Sequence, residues 1–87
     1  MNGPGRHVVA CRELADERVV DLEANQVGRL DQIVVDLPTG RITGAVLACG
    51  GVFGIGARFV AIPWASLVHE PERRRFVLGV LPSSYAL

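Results

Sequence analysis

The sequence predicts an all-β fold: a small barrel of five to six short antiparallel strands with at most one or two helical turns. Three observations carry this. Short runs rich in Val, Ile and Phe recur along the chain, with turn residues between them every ~8–12 positions, the spacing of a small barrel or sandwich. The stretch Gly50-Gly51-Val52-Phe53-Gly54-Ile55-Gly56 holds four glycines in seven residues. No helix tolerates that density, because each interior glycine costs about 1 kcal/mol against alanine. The run that follows, Arg58 to Ile62, stops at Pro63-Trp64, where proline withdraws a ladder donor.

Each element follows in order. Residues 1–6 read as a flexible Gly/Pro tail and 7–87 as a single domain. Val8-Val9-Ala10 is strand-compatible, and Cys11 to Glu17 is long enough for one helical turn. Arg18 to Leu22 reads as a strand, and Glu23-Ala24-Asn25 as a turn in which Asn25 is able to take a left-handed conformation. Gln26 to Asp36 reads as a longer strand in which Gly28 marks a bulge or a close backbone approach. Leu37-Pro38-Thr39-Gly40 is a turn: Pro38 presets φ, Gly40 supplies the positive φ after it, and Asp36 is placed to bond the turn backbone. Arg41 to Cys49 returns to complete a hairpin. After the glycine loop and the strand at 58–62, Trp64-Ala65-Ser66-Leu67 is expected as a single helical turn and His69 to Arg75 as a polar turn. Arg75 to Leu81 is then the last strand.

The chain has 87 residues with nine basic and nine acidic groups, and every basic group is an arginine. A neutral chain lacks the strongly basic footprint of a nucleic-acid-binding domain. No apolar run reaches the ~18 residues of a membrane span. The opening Met1-Asn2-Gly3-Pro4-Gly5-Arg6 lacks the layout of a signal peptide, so a cytoplasmic location is expected. Two cysteines do not make a disulfide scaffold.

Candidate chemistry is sparse. His7, Cys11, Cys49 and His69 are the only nitrogen and sulfur ligands, with no C-x2-C pair, so no metal is expected. The glycine loop is followed by a strand rather than a helix and lacks Gly-Lys-Ser/Thr, so it does not read as a phosphate cradle. Ser66 and His69 lie close in sequence without a nucleophile elbow. No catalytic residue and no cofactor is expected.

The strands are apolar on both faces: Ile33-Val34-Val35, Ala45-Val46-Leu47-Ala48, Phe59-Val60-Ala61-Ile62 and Phe76-Val77-Leu78. One face fills a barrel, and the other leaves a surface of the kind that marks an interaction site. A second copy is the expected partner, through outward residues such as Val34, Leu47, Phe59 and Val77, giving a homodimer or higher homo-oligomer. Arg73-Arg74-Arg75 is the one basic run and supports an alternative role as an RNA- or ribosome-associated assembly factor.

The chain resembles the PRC-barrel domain, the small barrel of the photosynthetic reaction-centre H subunit and of the ribosome maturation factor that assists small-subunit assembly. The resemblance spans about residues 14–81. It rests on Val27-Gly28-Arg29-Leu30 with Val34-Val35-Asp36, on Thr39-Gly40-Arg41-Ile42, and on the glycine loop with Gly50, Gly51, Gly54 and Gly56 leading to Val60-Ala61-Ile62-Pro63-Trp64 and Leu67. Ala24-Asn25 departs from the glycine usual in the family's first turn. The resemblance implies a stand-alone binding module with a possible unidentified protein partner and no catalytic residues to carry over.

Overall fold

The computed structural model describes residues 8–50 and 56–79. It contains a one-turn helix α1 (Cys11–Leu14) and strands β1 (Arg18–Val20), β2 (Gln26–Asp36), β3 (Arg41–Cys49), β4 (Arg58–Pro63), β5 (Leu67–Glu70) and β6 (Arg75–Leu78). Single 3-10 turns occupy Trp64–Ser66 and Pro71–Arg73. The six strands form one sheet in the order β4-β3-β2-β1-β6-β5. All its pairs are antiparallel except β1 with β6, which run parallel.

The short link between the two edge strands explains the half-barrel curl. A flat sheet of six strands puts its edges ~24 Å apart, at ~4.8 Å per step. Only the turn Trp64–Ser66 separates Pro63, the end of β4, from Leu67, the start of β5. That span reaches ~14 Å at most, so the sheet must curl until its edges meet at this corner.

The concave face holds the core: Val19, Leu30, Ala45, Leu47, Ile62, Leu67, Phe76 and Leu78, with Leu14 of α1 laid over it. Leu30 and Ile33 would face opposite sides of a regular strand. Both pack on the core here because the β2–β3 register skips Asp31, pairing Leu30 with Leu47 and Gln32 with Val46. That bulge reverses the alternation.

α1 is held by Glu13, whose carboxylate accepts from the Ala10 N–H at 2.9 Å. The segment after it is pinned to β2 by Asp16 N–H to the Leu30 carbonyl (2.8 Å) and Leu30 N–H to the Glu17 carbonyl (2.9 Å). In the β1–β2 turn, Asp21 Oδ1 accepts from the N–H groups of Glu23 and Asn25, both at 2.9 Å. The positive φ falls on Ala24 (68°), not on Asn25, the residue of this turn that the sequence marks as able to adopt it. In the β2–β3 turn Gly40 has φ 72°, as expected. The Asp36 carboxylate accepts from the Thr39 hydroxyl at 2.6 Å, and the Asp36 backbone carbonyl takes the Gly40 N–H. Gly50 and Gly56 flank the glycine loop with φ of 73° and 81°; Gly51 and Gly54 lie outside the described residues.

Two further differences from the sequence expectation concern β5 and the facing of β3. Leu67–Glu70 form a strand, where the sequence predicts a helical turn ending at Leu67 and a polar turn from His69 to Arg75, because Leu67 and His69 face Leu78 and Phe76 across β6. Leu47 was expected to point outward, but it is 1% exposed at the centre of the core. Its cross-strand partners Leu30 and Val60 lie on the same concave side.

Candidate functional site

Directly opposed residues on neighbouring strands share a face, so the register maps the convex surface. Across β2, β3 and β4 it runs through Val34–Gly44–Pro63, Gln32–Val46–Ala61 and Arg29–Ala48–Phe59. This face is apolar across β3 and β4, with the exposed Gln32 and Arg29 on its β2 side. Val34 and Phe59 are each 44% exposed, and Val46, Ala48 and Ala61 are half-buried around them. Val77 lies on the convex face of β6, half-buried beside the exposed Val68 of β5. The structure thus brings Val34 and Phe59 into one patch, leaves Val77 in a separate strip, and removes Leu47 to the interior.

The basic run divides in the same way. Arg73 and Arg74 are exposed in the turn between β5 and β6, with Arg74 in the left-handed region at φ 52°. Arg75 lies on β6, its Nε donating to Glu70 Oε1 at 2.7 Å. That hydrogen bond, helped by the nearby charges of Arg75 and Arg73 and opposed by partial burial, lowers the Glu70 pKa below the ordinary carboxylate value.

A half-open cavity of about 610 Å³ lies at one end of the curl, walled by Val9, Leu14, Ile42, Trp64, His69 and Phe76 among others. Trp64, which closes the Pro63-Trp64 signature, meets Phe76 edge-on at 5.8 Å and 65°. The His69 ring lies on Phe76 at 4.6 Å, and its Nε2 is 3.0 Å from Glu17 Oε1. Glu17 and His69 are a pairing that sequence reasoning missed, since they meet only through the pairing of β6 with β1 on one side and β5 on the other. Among the described residues neither Ser66 nor any other serine, cysteine or carboxylate lines this cavity. Among the described residues its lining is apolar walls with one imidazole already engaged by Glu17, an arrangement suited to holding an apolar group.

Cys11 is exposed and Cys49 half-buried, both as free thiols. Burial raises the Cys49 pKa, opposed by the charge of Arg58. His7 lies outside the described residues, and among those described no three His, Cys, Asp or Glu side chains gather to hold a metal. Nor is any helix among them long and apolar enough to cross a membrane.

Gly28 and Gly44 show why the sheet can pair so closely. A Cβ on Gly28 would sit 2.7 Å from the Ala48 carbonyl oxygen, and one on Gly44 the same distance from that of Ile62. The features singled out from the sequence (Gly28, Asp36, Gly40, Pro63 and Trp64) thus serve the backbone and the corner, which is the pattern of a scaffold signature.

No curated protein matches the chain. The family model described as PRC-barrel domain matches residues 6–78, the span that holds every strand of the sheet. The chain belongs to the PRC-barrel family.

Proposed function

We propose that this protein is a cytoplasmic, non-catalytic interaction module that self-associates through the convex face of β2, β3 and β4. The observation that carries the reading is the exposure of Val34 and Phe59 on one continuous apolar surface. A second copy suits it for two reasons. The chain is charge-balanced, with nine basic and nine acidic groups, so copies do not repel at long range. The same patch repeated about a two-fold axis also buries both halves at once.

The test is solution mass by light scattering across a dilution series, on the wild type and on Val34→Glu and Phe59→Glu. Self-association that is lost in both variants, with the fold retained by circular dichroism, supports the reading. A monomer at every concentration, or an oligomer indifferent to both changes, overturns it. The second reading is an RNA- or ribosome-associated assembly factor. The exposure of Arg73 and Arg74 favours it, while the commitment of Arg75 to Glu70 leaves, among the described residues, two arginines without an ion pair at the tip rather than three.

A further inference from the structure

The register places three arginines side by side on the convex face. Arg18 of β1 stands opposite Arg75 of β6 on one side and Arg29 of β2 on the other. All three point away from the core, because their neighbours Val19, Phe76 and Leu30 point into it. Adjacent strands lie ~4.8 Å apart, and like charges directly opposed destabilise a sheet. A structural role would call for carboxylates between them, but only Arg75 has one, Glu70. Arg18 Nη2 donates to the Arg73 carbonyl at 3.4 Å, and Arg29 Nη1 to the Asp16 carbonyl at 2.9 Å. Those oxygens orient the guanidinium groups without neutralising them. Among the described residues no carboxylate lies within ion-pair distance of Arg18 or Arg29. Arg73 and Arg74, both exposed, extend the strip at the β5–β6 turn.

We propose that this arginine row on β6, β1 and β2 is a docking surface for a carboxylate-bearing segment of a protein partner, gripped chiefly by Arg18 and Arg29. The planar guanidinium forks, fixed from behind by backbone carbonyls, leave N–H groups for bidentate pairing with carboxylates. Two observations favour a protein segment over a nucleic acid. The chain as a whole is neutral, with nine basic and nine acidic groups, so it lacks the extended field that gathers a phosphate backbone. The row also continues from Arg29 directly into Ala48 and Phe59, so the surface offers charge and apolar contact in sequence, as an acidic segment with interspersed apolar side chains requires. Arg29, Ala48 and Phe59 also belong to the β2–β3–β4 patch, so self-association through that patch competes with the acidic segment, whereas Arg18 lies outside it.

The test is fluorescence anisotropy at low salt with two labelled probes, a peptide of repeating Glu-Ala-Asp-Leu and an oligouridylate of equal charge. Arg18→Gln/Arg29→Gln is compared with Arg12→Gln/Arg41→Gln, which removes equal charge from exposed positions off the row. The expected result is binding of the peptide that weakens roughly tenfold or more in the first double variant, the scale of one or two charge-assisted hydrogen bonds. The second double variant should keep the wild-type affinity. Thermal melts establish that both variants fold. Absence of peptide binding, equal weakening in both double variants, or binding of the oligouridylate in preference to the peptide each overturns the proposal.

Discussion

Replacing Gly28 with alanine isolates the steric basis of the sheet. The residue is buried at the meeting of β1, β2 and β3. Its φ is not in the left-handed region, so any cost comes from space rather than conformation. The added Cβ would lie 2.7 Å from the Ala48 oxygen, 3.0 Å from Cys49 Sγ and 3.3 Å from the Ala48 carbonyl carbon. The nearest obstacle is backbone in the longest strand pair of the molecule and cannot rotate aside. Overpacking of this kind costs ~1–3 kcal/mol, offset by ~0.4–1 kcal/mol from the stiffer unfolded chain. The net loss is ~0.5–2 kcal/mol, or a Tm lower by roughly 3–15 °C for a domain of this size. Urea and thermal unfolding followed by circular dichroism read it directly. Adding Cys49→Ala removes the sulfur contact only, so the double variant should recover part of the loss. A Gly28→Ala protein as stable as wild type would refute the argument, and full recovery in the double variant would shift the clash from the carbonyl to the thiol.

The remaining predictions use other parts of the molecule. Phe76→Ala removes a ring that is 1% exposed and touches Trp64 and His69, and is expected to cost ~3–5 kcal/mol by denaturant titration. Leu47→Glu should abolish folding, since it buries a carboxylate in the core, whereas Val34→Glu should leave the Tm nearly unchanged and act on association alone. Glu70 has a lowered pKa in the folded state, so its contribution is present above the unfolded-state pKa and is lost as pH falls through the folded one. Glu70→Gln should therefore flatten the acid limb of stability against pH, and an unchanged limb counts against the Arg75 contact. With a thiol-specific reagent, Cys11 should label before Cys49, which is half-buried with a raised pKa; the reverse order would place Cys49 outside the packing described.

The β2–β3 hairpin was legible because its turn residues have few other uses: Pro38, Thr39 and Gly40 fix the reversal, and the flanking runs lie where expected. The single turn at Trp64 was legible for the same reason. Which face each residue occupies was not. Both faces of β3 are apolar, so alternation is silent, and the bulge at Asp31 reverses parity where counting by two would place Ile33 outside. Leu47 was misplaced for that reason. β5 was hidden because His69 and Glu70 resemble loop residues until β6 supplies partners for both, Phe76 and Arg75. The arginine row was invisible for a related reason: Arg18, Arg29 and Arg75 are scattered in sequence and become neighbours only through strand pairing. The run Arg73-Arg74-Arg75, conspicuous in the sequence, is split by the structure between an exposed turn and an ion pair.

The strand order has a kinetic consequence. The first and last strands pair with each other in the middle of the sheet, while β4 stands at one edge. During synthesis the β2–β3–β4 meander can form from local contacts as it emerges, but β1 lacks its second neighbour until Phe76 and Leu78 are made. Closing that long loop is the slow, non-local step. Until then the concave side of the meander, with Leu30, Leu47 and Ile62, has no lid and offers a sticky surface to other nascent chains. Cutting before β6 should therefore yield an aggregating fragment instead of a smaller folded domain, and a refolding rate limited by β1–β6 pairing should be slowed by substitutions at Val19 or Phe76 far more than by changes in the β2–β3 turn.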